Sequence, residues 1–105
     1  MSTLMELTMI PLDKGSSFSK YVATTLDIID SSGMNYQLTP MGTIIEGEWR
    51  DLLSLLDKCF NALNEVSDRI SVSVKFDHRK GREGRLRSKI KSVEDKVGRR
   101  LKTAE

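Results

Sequence analysis

The sequence predicts an α+β fold of the ferredoxin-like type: a βαββαβ sandwich whose antiparallel sheet carries helices on one face, with an added C-terminal helix. Three observations carry this expectation. The apolar period alternates between two and about 3.6 in the order strand, helix, strand, strand, helix, strand. Gly, Pro and Ser clusters fall at the switches. With 105 residues, of which 38% are hydrophobic and 30% charged, the chain has room for one domain around one core. Residues 1–80 are expected to form a ligand-binding domain, and 81–105 a basic extension helix packed on that domain or on a neighbouring subunit.

Thr3 to Leu12 is apolar and unbroken by Gly, with Met5, Leu7 and Met9 on one side and Leu4 and Ile10 on the other. It reads as a strand with one well-buried face, ended by Pro11, which has no N–H for a mid-sheet ladder. Lys14-Gly15-Ser16-Ser17 is a turn, with Ser16 or Ser17 as helix N-cap. Phe18, Val22, Leu26 and Ile29 recur at helical spacing with Tyr21 and Thr25 beside them, and Gly33 is placed to end that helix in a left-handed conformation. Tyr36–Thr39 and Thr43–Glu46 read as short strands about the Pro40-Met41-Gly42 turn. Trp49, Leu52, Leu53, Leu56, Cys59, Phe60 and Leu63 then form one broad helical stripe. From Arg69 to Asp77 the alternation is clean: Ile70, Val72, Val74 and Phe76 face one way, Ser71, Ser73, Lys75 and Asp77 the other. A polar connection from His78 to Gly84 leads to a narrow seam of Leu86, Ile90, Val93, Val97 and Leu101 on a highly charged helix. A first strand apolar on both sides, together with that seam, argues for self-association by sheet-on-sheet packing.

Charge is unevenly spread. Residues 1–78 carry six Lys/Arg against eleven Asp/Glu, whereas 79–105 carry eleven against four. The basic segment raises the question of an anionic partner, but it lacks aromatics to stack on bases, so a solvated helix face in contact with the acidic body is favoured over nucleic acid. No apolar run is long enough for a bilayer, no basic segment followed by an apolar stretch opens the chain, and one cysteine, Cys59, cannot pair internally. The expected location is the cytoplasm.

Familiar catalytic constellations are missing. The single histidine, His78, allows no His-pair metal site and reads as a solvated loop residue beside Arg79 and Lys80. Cys59 sits on an apolar stripe and reads as an inert core thiol. No enzyme activity, cofactor or metal is expected. The informative stretch runs from Thr39 to Trp49, where Thr39, Thr43 and Glu46 bring hydroxyls and a carboxylate near Gly42 and Gly47. Lys75, Asp77 and Arg79 add polar groups of both signs from the last strand. In the expected fold these segments approach each other, and a small-ligand site is one reading; a plain hairpin with Trp49 as a core anchor is the other.

The strings Ile10-Pro11-Leu12-Asp13-Lys14-Gly15, Tyr21-Val22-Ala23, Leu26-Asp27-Ile28-Ile29, Tyr36-Gln37-Leu38-Thr39-Pro40-Met41-Gly42-Thr43 and Glu46-Gly47-Glu48-Trp49 resemble the thiamine-binding, YkoF-like family, many of whose members are uncharacterised proteins. The likeness runs from about Met5 to Arg79. It implies a ferredoxin-like fold, assembly into dimers and tetramers through sheets and terminal helices, no established enzymatic activity, and thiamine or its hydroxymethylpyrimidine part as ligand. Carried over to the matching positions, it implies a site at Thr39, Gly42, Thr43, Glu46, Trp49, Asp77 and Arg79. Hydroxyls and a carboxylate suit an aminopyrimidine, and Glu46, Asp77, Tyr36 and Trp49 suit a thiazolium cation. An anion such as phosphate or sulfate, held between subunits by Lys75 and Arg79, is the alternative.

Overall fold

Seven elements succeed one another in the computed structural model, which describes residues 2–16, 19–81 and 85–101: β1 (Ser2–Pro11), α1 (Ser19–Ser31), β2 (Asn35–Thr39), β3 (Gly42–Gly47), α2 (Trp49–Asn64), β4 (Ile70–Arg79) and α3 (Arg85–Val97). The strands form one antiparallel sheet in the order β2-β3-β1-β4. This is the α+β, ferredoxin-like arrangement that the alternating periods predict. Of the expected start of α1, Ser17 and Phe18 lie outside the described residues.

Strand parity decides what each face carries, because successive side chains alternate and directly opposed residues share a face. Met5, Leu7 and Met9 of β1 and Ile45 of β3 meet Ile29 of α1 and Leu52, Leu55, Cys59 and Leu63 of α2 in one buried core. The even-numbered residues of β1 point to the opposite face. There α3 lies against β1 and β3, and Ser2 and Leu4 are buried. Part of the second apolar side of β1 is therefore covered within the chain.

Several local expectations change. Pro11 ends β1 as expected, but as its last paired residue, opposite Ile70. The buried stripe of α2 runs through Leu52, Leu55, Cys59 and Leu63, spaced three, four and four residues apart. Trp49, Leu53 and Phe60 lie at its exposed rim. Val72 and Val74 stay 41% and 39% exposed although they share a face with the core, because β4 is an edge strand. His78 and Arg79 continue β4 rather than open a loop. Val93 and Val97 of the α3 seam are exposed, whereas Leu86, Ile90 and Leu101 are half-buried.

Candidate functional site

The sheet divides the expected site residues between its two faces. Residues separated by an odd number of positions point opposite ways, so Thr43 faces the helices while Glu46 faces away from them. On that second face Glu46, Leu4 and Asp77 form one row across β3, β1 and β4. Glu46 accepts a hydrogen bond from the Ser2 hydroxyl at 2.6 Å. Lys75 and Arg79 flank Asp77 along β4 on the same face, opposite Glu6 and Ser2. The two cations are therefore interrupted by a carboxylate. Trp49 belongs to the helix side, its ring 4.6 Å from that of Phe76 at an interplanar angle of 50°.

Thr39, Gly42 and Thr43 do come together, at a cavity of about 360 Å³ between α1, the β2–β3 hairpin and the edge of β1. Thr39 is taken up by the turn: its hydroxyl donates to the carbonyl of Gly42 at 2.8 Å and accepts the N–H of Met41 at 3.2 Å. The hairpin is held to β1 where the Thr8 hydroxyl donates to the Met41 carbonyl at 3.0 Å. Gly42, at φ +152°, permits that approach. A Cβ there would lie 2.8 Å from the Thr8 Oγ1 and 3.0 Å from the Leu7 carbonyl oxygen. On the outer side, the Tyr36 hydroxyl donates to Asp30 at 2.7 Å and fastens β2 to the end of α1. That bond retains the phenol proton and raises the Tyr36 pKa above its ordinary value.

Apolar side chains dominate the cavity lining, with Leu7, Val22, Leu26, Ile29 and Leu38 among them, and no charged residue contributes among the described residues. Two threonines supply buried hydroxyls. Thr25 donates to the Val22 carbonyl at 2.8 Å, which leaves its oxygen able to accept. Thr43 is only 5% exposed, yet its hydroxyl has no hydrogen-bond partner among the described residues. Since no side-chain polar atom there is both fully occluded and unbonded, that hydroxyl borders open space in the cavity. A ligand atom bonded to it would remove the cost of an unmatched polar group. The volume is at the small end of the range for organic-ligand sites, about 300–1,000 Å³.

The remaining candidates stand apart from the cavity. His78 bonds Thr3 through Nδ1 at 2.7 Å. Cys59 is buried in the core and desolvation pushes its thiol up to about 11, so it stays protonated and unreactive. No cluster of three or more His, Cys, Asp or Glu with metal-holding geometry occurs among the described residues. The wider groove between α1 and α2, lined by Asp27, Asp51 and Lys58, is open and edged by exposed charges. Residue-type reasoning passed over Thr8, Met9, Val22 and Leu26 as site residues. Thr25, a polar residue beside an apolar helical stripe, was the one signal available.

A four-stranded ferredoxin-like sandwich with a ligand-sized, uncharged cavity beside its β2–β3 hairpin is the class of protein that fold and site define. The chain belongs to the family of thiamine-binding proteins, whose sequence profile matches residues 5–94. It is 36% identical over 95 residues to a UPF0045 protein of Methanothermobacter thermautotrophicus, covering 88% of this chain and 96% of that one. To the UPF0045 protein YqgV of Bacillus subtilis it is 33% identical over 96 residues, covering 86% and 92%. Among solved structures, the hypothetical protein MJ1052 of Methanocaldococcus jannaschii superposes with a TM-score of 0.81 at 29% identity, over 88% of this chain and 95% of that one. A candidate thiamine biosynthesis/salvage protein of Thermotoga maritima shares the fold, with a TM-score of 0.73 at 18% identity over 93% and 97%. No described helix is long and apolar enough to cross a membrane.

Proposed function

We propose that this chain is a non-catalytic binding protein for thiamine or its hydroxymethylpyrimidine moiety, acting as a cytoplasmic homo-oligomer built as a dimer of dimers. The pyrimidine occupies the cavity between α1 and the β2–β3 hairpin. The observation that carries this reading is the unmatched hydroxyl of Thr43 in a largely apolar cavity of about 360 Å³, in a chain of the thiamine-binding family. An uncharged lining suits a neutral ring and disfavours a buried thiazolium cation, whose desolvation nothing there would offset. Thiamine therefore enters pyrimidine first, its thiazolium remaining at the mouth near Met41, which is 84% exposed. Gly42 and Thr39 shape the mouth, and Thr43 bonds the ligand. Glu46, Lys75, Asp77 and Arg79, on the other face, belong to the contact between subunits, and Trp49 anchors α2 against Phe76. The anion reading gains nothing from β4, where Asp77 separates Lys75 from Arg79.

Calorimetric titration with thiamine and, in parallel, with hydroxymethylpyrimidine tests the proposal. Saturable heat with one site per chain is expected from both. A folded protein that gives no heat with either ligand is not a binder of this class.

A further inference from the structure

The cavity meets β1 along its edge rather than on its face. Four consecutive residues, Leu7, Thr8, Met9 and Ile10, line it, whereas a cavity against a pleated face would touch alternate ones. The cause is register. β1 pairs with β4 along its whole length, Ser2↔Arg79 to Pro11↔Ile70, but its pairing with β3 stops at Leu7↔Thr43. Beyond Leu7 the β3 side of β1 has no neighbouring strand among the described residues.

Parity identifies which backbone groups face that gap. The N–H of Leu12 donates to the carbonyl of Arg69 at 2.7 Å, extending the β1–β4 register by one pair. In an antiparallel ladder, N–H and C=O of one residue point the same way and alternate between sides along the strand. Even-numbered residues of β1 thus bond β4, and odd-numbered ones point to β3. Pro11 fits this assignment, since its missing N–H would have pointed into the gap and costs the ladder nothing. Met9 is then the residue whose N–H and C=O both face the cavity without a strand partner. Its position is 5% exposed, and the hairpin crosses the gap nearby by the Thr8 side chain bonding the Met41 carbonyl. Buried backbone groups are nearly always paired.

We infer that the cavity reads its ligand by strand-edge pairing: Met9 N–H and C=O bond a planar heterocycle that carries a hydrogen-bond acceptor next to a donor, while Thr43 bonds a further polar substituent. This inference rests on the pyrimidine-binding reading and assigns the groups that hold the amino edge of the ring. An exocyclic amine beside a ring nitrogen presents a donor and an acceptor in one plane, the complement of one extended residue's C=O and N–H. The contact is the small-molecule counterpart of adding a strand to an open sheet edge.

Titration of the unmodified protein with hydroxymethylpyrimidine and with the same molecule lacking its 4-amino group tests this without altering the fold. The desamino compound leaves the Met9 carbonyl unmatched and is expected to bind at least tenfold more weakly. With ¹⁵N-labelled methionine, the Met9 amide proton is expected to move downfield as hydroxymethylpyrimidine saturates the protein. Affinities within twofold of each other, or an unmoved Met9 amide at saturation, overturn the edge pairing and leave the binding function standing. No binding of hydroxymethylpyrimidine at all overturns both.

Discussion

Replacing Thr43 by valine separates a ligand-directed hydroxyl from a structural one, because the two predict opposite signs for stability. Thr43 is 5% exposed and its hydroxyl has no partner among the described residues. Valine keeps the β-branched shape that suits β3 and removes only the polar atom. A fully occluded unmatched hydroxyl costs about 1–3 kcal/mol; since this one borders the cavity, where water can reach it, we take about 0.5–1 kcal/mol as the gain. For a domain of this size that raises Tm by about 2–8 °C. Hydroxymethylpyrimidine loses one hydrogen bond of about 1–1.5 kcal/mol, or about 5- to 13-fold in affinity. Thermal unfolding without ligand and calorimetry with it measure both quantities on one preparation. Thr43→Ser, which keeps the hydroxyl, should retain the affinity. A Thr43→Val protein that melts lower and binds as tightly as the original would refute the reasoning.

Other consequences are more local. Gly42→Ala places a Cβ 2.8 Å from the Thr8 hydroxyl oxygen at a φ of +152°. It should cost about 2–3 kcal/mol, read as a lower denaturant midpoint at unchanged m. Cys59, buried and with its thiol raised to about 11, should resist thiol reagents at pH 8 in the native protein and react on unfolding. The Asp13 carboxylate accepts from the Ser67 hydroxyl at 2.5 Å and the Asp68 N–H at 2.8 Å. The Ser67 bond first, then that of Asp68, lowers its pKa below the ordinary value. Its contribution to stability is full above the unfolded-state pKa and is lost as pH falls through the lower folded-state value, so an NMR titration of Asp13 should show a midpoint below the usual aspartate range and Ser67→Ala should move it up.

Much of the fold is legible in the residues, and so is half of the reason the site is not. The period-two run through Met5, Leu7 and Met9 and the helical recurrence of Val22, Leu26 and Ile29 place β1 and α1 with their inward faces. In α2, choosing the stripe by residue type favoured Trp49 and Phe60 over Leu55; only the packing partner decides which 100°-wide face of an extensively apolar helix is inside. Sheet order likewise leaves Val72 and Val74 exposed on an edge that alternation cannot see. The division of the candidate residues was available from parity, since Thr43 and Glu46 are an odd number apart, but hydroxyls and carboxylates in one short string invite grouping by type. The cavity itself depends on β1 outrunning β3 after Leu7. Register of that kind joins segments far apart in the chain and leaves no local mark, except at Pro11, whose place at the end of a strand is compatible with an unpaired side.

The central claim is that the cavity between α1 and the β2–β3 hairpin is where the ligand sits, and filling it tests that most directly. Val22 lines the cavity from α1 and is half-buried, so Val22→Trp directs bulk into the space while leaving the core around Met5 and Leu52 intact. Calorimetry of both proteins with hydroxymethylpyrimidine is the measurement. The account predicts one site per chain in the original and no measurable binding to a folded Val22→Trp protein. Equal affinity in the two proteins would contradict it and place the ligand elsewhere on the molecule.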